Sequence, residues 1–149
     1  MNPIIQTDSL FMTEALKEAR YAYDEGEVPV GAIVICKGII IAKAHNLTER
    51  LVDCTAHAEI QAITSAQNYL GGKYLDECTL YVTIEPCVMC AGATAWAKIG
   101  RIVFGAGDDK AGFLRFGEKL LHPSTQLTGG ILEKECAELM VNFFRAKRK

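Results

Sequence analysis

Two short motifs in this chain could together build a reactive metal centre. His57 and Glu59 lie two positions apart, and Pro86 leads directly into Cys87 and Cys90, which lie three positions apart. One imidazole and two thiolates are ligands that zinc prefers in proteins, and three protein ligands leave the fourth tetrahedral position for water. A carboxylate beside that position could move protons. The pattern predicts a catalytic zinc site with His57, Cys87 and Cys90 as ligands and Glu59 as the catalytic proton carrier.

The predicted chemistry is hydrolytic removal of an amino group from a base. His-x-Glu followed by Pro-Cys-x-x-Cys is typical of zinc-dependent nucleobase deaminases. Zinc lowers the pKa of a bound water from about 15.7 to about 7, and the resulting hydroxide can attack the ring carbon that carries the amino group. The ring nitrogen then needs a proton and ammonia must leave as a neutral molecule. Glu59 could deliver both protons.

A closed structural zinc site is the alternative interpretation of the same residues. It needs a fourth ligand, and Cys54, three residues before His57, is the nearby candidate. An additional cysteine near a site is more often a packing residue. The His-x-Glu and Pro-Cys-x-x-Cys motifs occur in this order, and each is expected at the start of a helix. This combination favours the open, catalytic site.

The elements expected around these motifs alternate between strand and helix. This order predicts an α/β fold of three layers, with a central mixed sheet of about five strands and helices on both faces. The expected strands cover 29–36, 39–42, 79–84, 101–105 and 126–128. The expected helices run from a cap at Asp8 or Ser9 to Gly26, from 55 to 69, from Pro86 to 98, around 116–121, and from 132 to 147.

The helix starts explain why the metal ligands should bind well. Cys87 and Cys90 lie in the first turn of a predicted helix, where unpaired N–H groups and the positive end of the helix dipole favour thiolates. His57 and Glu59 lie at the start of the preceding helix and could project past its end. We therefore expect the zinc ion between the N-termini of these two helices.

Composition is typical of a single folded domain covering residues 1–149. Half of the residues are hydrophobic and 23% are charged, which differs from the composition of disordered proteins. No apolar run reaches the roughly 18 residues of a membrane helix, and the first residues do not resemble a signal peptide, so a cytoplasmic protein is expected.

The net charge of −2 does not favour general nucleic-acid binding. The cationic residues 145–149 either complement a helix end or bind phosphates.

Longer stretches of the chain resemble the bacterial tRNA-specific adenosine deaminases, which have the cytidine-deaminase-like fold. The similarity covers nearly the whole chain and is much more specific than the zinc motifs. The segments that carry it are 27–32, 45–46, 55–59, 80–93, 99–101, 104–106 and 143–145.

This resemblance implies deamination of adenosine to inosine at the wobble position of a tRNA anticodon, with one Zn²⁺ per subunit. It also implies a homodimer whose partner subunit helps to build the cleft for the anticodon stem-loop. Residues implied to read the flipped base, line the nucleotide path or lie near the RNA are Asn46, Ala58, Pro86, Glu27, Pro29, Val30, Asp108, Phe144 and Arg145. From the sequence alone, Asn46 is equally well a turn residue.

Two other functions remain open at this point. A deaminase of a free base or nucleoside, such as guanine or cytosine, would use the same zinc chemistry without a basic rim. A zinc-stabilised RNA-binding protein without turnover would have no need of Glu59, so the presence of that carboxylate argues against it.

Overall fold

The computed structural model describes residues 2–148, apart from the side chain of residue 5. Four helices and five strands form the fold, with two short 3₁₀ turns, Phe113–Phe116 and Glu118–Leu120, where one short helix was expected. The helices are α1 (Pro3–Asp24), α2 (Ala58–Leu70), α3 (Val88–Trp96) and α4 (Glu133–Lys147). The strands are β1 (Gly31–Cys36), β2 (Ile39–His45), β3 (Cys78–Ile84), β4 (Arg101–Ala106) and β5 (Gln126–Thr128).

The five strands form one mixed sheet in the order β2-β1-β3-β4-β5, which confirms the predicted fold class. β1 is antiparallel to both β2 and β3, whereas β3, β4 and β5 are parallel. Because of these directions, the end of β2, the start of β1 and the ends of β3 and β4 share one edge of the sheet. Both zinc motifs follow the sheet at this edge: Cys87 lies three residues beyond β3.

The two faces of the sheet are covered by different pairs of helices. Successive side chains of a strand point to opposite faces. Accordingly, Ala32 and Val34 of β1 belong to a core that includes residues of α2 and α3, whereas Ile33 and Ile35 belong to a core with α1 and α4. The layers are therefore α/β/α. None of the helices within residues 2–148 is both long and apolar enough to cross a membrane.

The close approach of α1 to β1 requires a glycine. A Cβ atom on Gly31 would overlap the backbone carbonyl of Ala15 and the backbone nitrogen of Ala19. Gly31 thus allows α1 to pack directly against the sheet beside the edge where the zinc motifs lie.

Helix α1 begins earlier than the sequence pattern indicates. The expected cap at Asp8 or Ser9 is wrong: Asn2 is the N-cap, its side-chain oxygen accepts from the Ile4 N–H at 2.9 Å, and Pro3 occupies the first turn. Proline is well suited to that position because its missing N–H would have no helical partner there. Asp8 instead lies inside the helix and is 2% exposed.

Asp8 attaches α1 to the sheet through a buried ion pair. Its carboxylate accepts two hydrogen bonds from Arg101 at 2.9 and 2.7 Å and one from the Tyr81 hydroxyl at 2.7 Å. Burial alone would raise the pKa of Asp8, but the bonds from Arg101 and Tyr81 outweigh it, so the pKa lies below its ordinary value of 3.8. The ionised form is therefore the one that the fold stabilises.

We predict that Asp8→Asn lowers the free energy of unfolding by about 2–3 kcal/mol at neutral pH, because Arg101 loses its charged partner. The folded-state pKa of Asp8 lies below the unfolded one, so its contribution is present above about pH 3.8 and disappears as the pH falls through the folded-state pKa. Urea unfolding between pH 3 and pH 7 measures this difference. The exposed Asp76→Asn variant is the control, and equal destabilisation by both variants at neutral pH would contradict the assignment.

Candidate active site

Three metal-binding side chains meet at the edge of the sheet where α2 and α3 begin. His57 is the N-cap of α2, Cys87 is the N-cap of α3, and Cys90 lies in the first turn of α3. The Nδ1 atom of His57 is 3.7 Å from Sγ of Cys87 and 3.6 Å from Sγ of Cys90. All three donor atoms lie within 4.8 Å of one another.

These three donors fit a tetrahedral zinc ion. With Zn–S and Zn–N bonds of about 2.3 and 2.0 Å, tetrahedral angles place a sulfur and a nitrogen ligand about 3.5 Å apart. The observed separations of 3.6 and 3.7 Å agree with this value. Within the described part of the chain, the donor group consists of His57, Cys87 and Cys90, and the exposed Cys54 lies outside it.

The side chains of His57 and Cys87 do not cap the helices that they begin. Neither His57 nor Cys87 hydrogen-bonds to its own helix N-terminus with its side chain, although both occupy the N-cap position. Their side chains meet each other instead. The free N–H groups of the first turn and the helix dipole favour negative charge on the sulfur atoms.

A cavity of about 260 Å³ opens beside the donor group. Its volume is slightly below the usual range of ligand sites, which suits one ring system better than a whole nucleotide. The lining residues come from the segments that meet at this edge of the sheet. They are Val28, Val30, Asn46, Thr48, His57, Ala58, Glu59, Ile84, Glu85, Cys87, Asp108, Ala111 and Met140.

The chain is similar to known deaminases over almost its whole length. A family model described as MafB19-like deaminase matches residues 6–148. A tRNA-specific adenosine deaminase of Bacillus subtilis (strain 168) is 44% identical over 147 residues, covering 95% of this chain and 91% of that protein. The chain belongs to the tRNA-specific adenosine deaminase family.

Solved structures agree with membership of the tRNA-specific adenosine deaminase family. One structure, from studies of A-to-I editing by tRNA:A34 deaminases at the wobble position of tRNA, is 42% identical, has a TM-score of 0.82, and covers 87% of this chain and 97% of its own. A guanine deaminase from Bacillus subtilis is 37% identical with a TM-score of 0.64, and covers 72% of this chain and 66% of its own. The cytidine-deaminase-like fold expected from the sequence is therefore confirmed.

The substrate-binding residues expected from the deaminase resemblance fall into two groups. Asn46, Ala58, Val30 and Asp108 line the cavity. The remaining residues are not among those that line it in the described part of the chain. They are Glu27, Pro29, Pro86, Phe144 and Arg145.

Four residues of the second group have another setting in the structure, and the fifth, Pro29, is buried two residues before β1. Glu27 is 1% exposed, and its carboxylate binds the backbone of the loop after β2. The carbonyl of Pro86 accepts a hydrogen bond from the Phe113 N–H at 2.9 Å. Phe144 and Arg145 lie near the end of α4 with exposed side chains. Contacts of these residues with RNA stay predictions.

Glu59 combines burial with access to the cavity. It lies in the first turn of α2, is 4% exposed and forms part of the cavity wall. Burial raises the pKa of Glu59 from its ordinary value to about 7. A carboxyl group with a pKa near neutrality can both accept and release a proton at physiological pH.

The pKa values of Cys87 and Cys90 differ because the two side chains are hydrogen-bonded to each other. A hydrogen bond from Cys90 lowers the pKa of Cys87 to about 4, and the interaction with His57 acts in the same direction. The same contact with Cys87 raises the pKa of Cys90. The hydrogen bond to Cys87 also raises the pKa of His57. A thiolate at Cys87 is the form that binds a metal ion.

Glu85 forms part of the cavity wall, although the sequence pattern predicts no function for it. The available signal was a carboxylate directly between a buried strand and the Pro-Cys-x-x-Cys motif. Charged residues are rarely buried unless they are paired, so a carboxylate in this position indicates partners elsewhere in the chain.

We predict that Cys87→Ser weakens zinc binding by more than about 100-fold, because even the loss of a residue that supports a ligand costs about 10- to 100-fold. Zinc content after dialysis against a chelator measures the effect. The matched control is Cys54→Ser, a change of the same type at an exposed thiol outside the donor group. Loss of zinc from the Cys54 variant, or its retention by the Cys87 variant, would contradict the ligand set.

Proposed function

We propose that this protein is a zinc-dependent hydrolase that converts adenosine to inosine at the wobble position of a tRNA anticodon. The observation that carries the proposal is the group of His57, Cys87 and Cys90 beside the buried carboxylate of Glu59, at one cavity. The substrate is inferred from relatives that bear the name tRNA-specific adenosine deaminase.

The chain's own residues divide the reaction between them. His57, Cys87 and Cys90 would hold one Zn²⁺, and when bound this ion supplies an activated water molecule. Glu59 takes one proton from the attacking water at its carboxylate and gives it to the ring nitrogen, then takes the second proton from the oxygen now bonded to the ring carbon and gives it to the departing amine. Its burial keeps the carboxyl group in a water-poor position, where the proton passes between catalyst and base.

The cavity wall supplies contacts for a flipped base. The amide nitrogen of Asn46 donates to Oγ1 of Thr48 at 3.3 Å, and both residues line the cavity. This bond orients the carboxamide at the wall, from which it can bridge base and sugar. Ala58, the first residue of α2, lies at the same wall and offers backbone at close range because its side chain is small.

A homodimer is the proposed assembly, with the anticodon stem-loop as the RNA partner. Exposed apolar side chains on α3 and on the segment between α2 and β3 support the dimer. Trp96 is 86% exposed, Tyr74 45%, Val88 43% and Met89 37%. Apolar surface of this kind is typical of protein–protein contacts.

We also propose that residues 1–149 act as one catalytic domain and that the protein acts in the cytoplasm, where its tRNA substrate is found.

Deamination of free guanine is the second candidate function. The guanine deaminase of Bacillus subtilis supports it, since that protein is 37% identical to this chain. Its TM-score of 0.64 is lower than the value of 0.82 for the tRNA:A34 deaminase structure, and it covers less of this chain. The tRNA substrate is therefore favoured.

We expect the purified protein to form inosine in an anticodon stem-loop that carries adenosine at the wobble position. Free adenosine, cytidine and guanine should remain largely unchanged, because binding energy from the RNA outside the cavity is needed for turnover. Chromatography of nuclease-digested RNA measures inosine directly. Rapid turnover of free guanine with an inert stem-loop would support the second candidate instead.

Glu59→Ala should retain zinc but lose about 100- to 10,000-fold in turnover, the usual contribution of a general acid–base group. Zinc content and the inosine assay are measured on the same preparation. Glu77→Ala, at an exposed carboxylate before β3, is the control and should keep full activity. An active Glu59→Ala protein would refute the proton-transfer role, and zinc-dependent RNA binding by an inactive wild type would indicate a binding protein.

A further inference from the structure

Two buried carboxylates hold the two loops that form the walls of the cavity. Glu27 is 1% exposed and accepts hydrogen bonds from the backbone N–H groups of Glu49 at 3.0 Å and Arg50 at 2.8 Å. Each of its oxygen atoms takes one of these bonds. Glu27 therefore fixes the loop of residues 46–50, which follows β2.

Glu85 does the same on the other side of the cavity. It is 8% exposed, its Oε1 atom accepts from the Asp108 N–H at 3.1 Å, and its Oε2 atom accepts from the Leu114 N–H at 3.0 Å. These two donors lie near opposite ends of one loop. Glu85 thus fixes the loop of residues 107–114, which follows β4.

The two loops carry the polar and small side chains that face the cavity. The 46–50 loop contributes Asn46 and Thr48, and the 107–114 loop contributes Asp108 and Ala111. The metal ligands and Glu59, by contrast, lie at the starts of α2 and α3. The cavity side chains of these two loops are therefore held apart from the reacting groups, whereas Ala58, between His57 and Glu59, lines the cavity beside them.

The fit of Glu85 into the 107–114 loop is tight. A Cβ atom on Gly112 would overlap the carboxylate of Glu85, so glycine is required for close contact rather than for its backbone angles. Asp108 strengthens the loop from within, since its Oδ1 accepts from the N–H groups of Lys110 at 3.0 Å and Ala111 at 3.1 Å. Ionised acceptors make stronger hydrogen bonds than neutral ones, which suits a carboxylate in this position.

We propose that Glu27 and Glu85 are positioning residues that set the width of the nucleotide cleft by fixing the 46–50 and 107–114 loops on either side of it. This rests on the proposed deamination of an RNA stem-loop. Neither carboxylate has to touch the reacting atoms, because both oxygen atoms of each are already bonded to loop N–H groups.

The test is a comparison of kcat and KM for the anticodon stem-loop. In Glu85→Gln, an amide NH₂ faces a backbone N–H and one loop bond is lost, so KM should rise about 10-fold while kcat stays within about threefold. Glu27→Gln should have the same effect through the other loop. A merely structural role would reduce the active fraction of enzyme, which lowers kcat and leaves KM unchanged.

Two further variants distinguish the effect of the position of the Glu85 carboxylate from the effect of its charge. Gly112→Ala keeps the charge of Glu85 but crowds its carboxylate and the backbone carbonyl of Asp108, which displaces the 107–114 loop and should raise KM as Glu85→Gln does. Glu77→Gln removes the same charge from an exposed residue at the opposite end of β3 and should leave KM unchanged. Hydrogen exchange gives a readout independent of activity: the amides of Asp108 and Leu114 should exchange faster in Glu85→Gln, with zinc content unaltered.

The possible results decide between the two proposals. If wild type forms inosine and Glu85→Gln keeps the wild-type KM and exchange rates, the positioning role is wrong and the deaminase function stands. An equal rise of KM in Glu77→Gln would assign the effect to charge and also overturn the positioning role. If wild type forms no inosine in the stem-loop, the proposed function fails and the positioning role with it.

Discussion

The directions of the strands determine where the reactive groups of this protein can lie. β1 is antiparallel to both of its neighbours while β3 and β4 are parallel, so the end of β2, the start of β1 and the ends of β3 and β4 lie at one edge. The loops after β2, β3 and β4 all converge there. The starts of α2 and α3 converge at the same edge, which brings His57 within 3.7 Å of Cys87 and 3.6 Å of Cys90.

Four carboxylates within residues 2–148 are almost fully buried, and their surroundings differ. Asp8 is ion-paired with Arg101, and Glu27 and Glu85 each accept two backbone hydrogen bonds. The partners of Asp8 stabilise its ionised form, and the partners of all three residues fix a geometry. Glu59 differs because desolvation dominates and raises its pKa to about 7. The same functional group therefore serves as a structural anchor in three places, and in the fourth it has the pKa that the proposed proton transfer requires.

The sequence predicts those features of the fold and the site that depend on residues close together in the chain. His57 and Glu59 lie two positions apart, and Cys87 and Cys90 three, so a local pattern was enough to find them and the helices that they begin. The local pattern around Asp8 does not distinguish an ion pair from a helix cap, because its partners Tyr81 and Arg101 are 73 and 93 residues away. Polar residues near a helix start look alike in the sequence, whether they cap the helix or form an ion pair.

The role of Glu85 was hidden for the same reason. Its donors lie 23 and 29 residues further along the chain, in a region without clear periodicity. The contact between Glu85 and Gly112 has an evolutionary consequence. A Cβ atom at position 112 would overlap both the carboxylate of Glu85 and the backbone carbonyl of Asp108, so replacing Glu85 alone would not make room for a side chain there. Position 112 is therefore expected to remain glycine for as long as the 107–114 loop keeps its present backbone path, which restricts how that part of the wall can diverge.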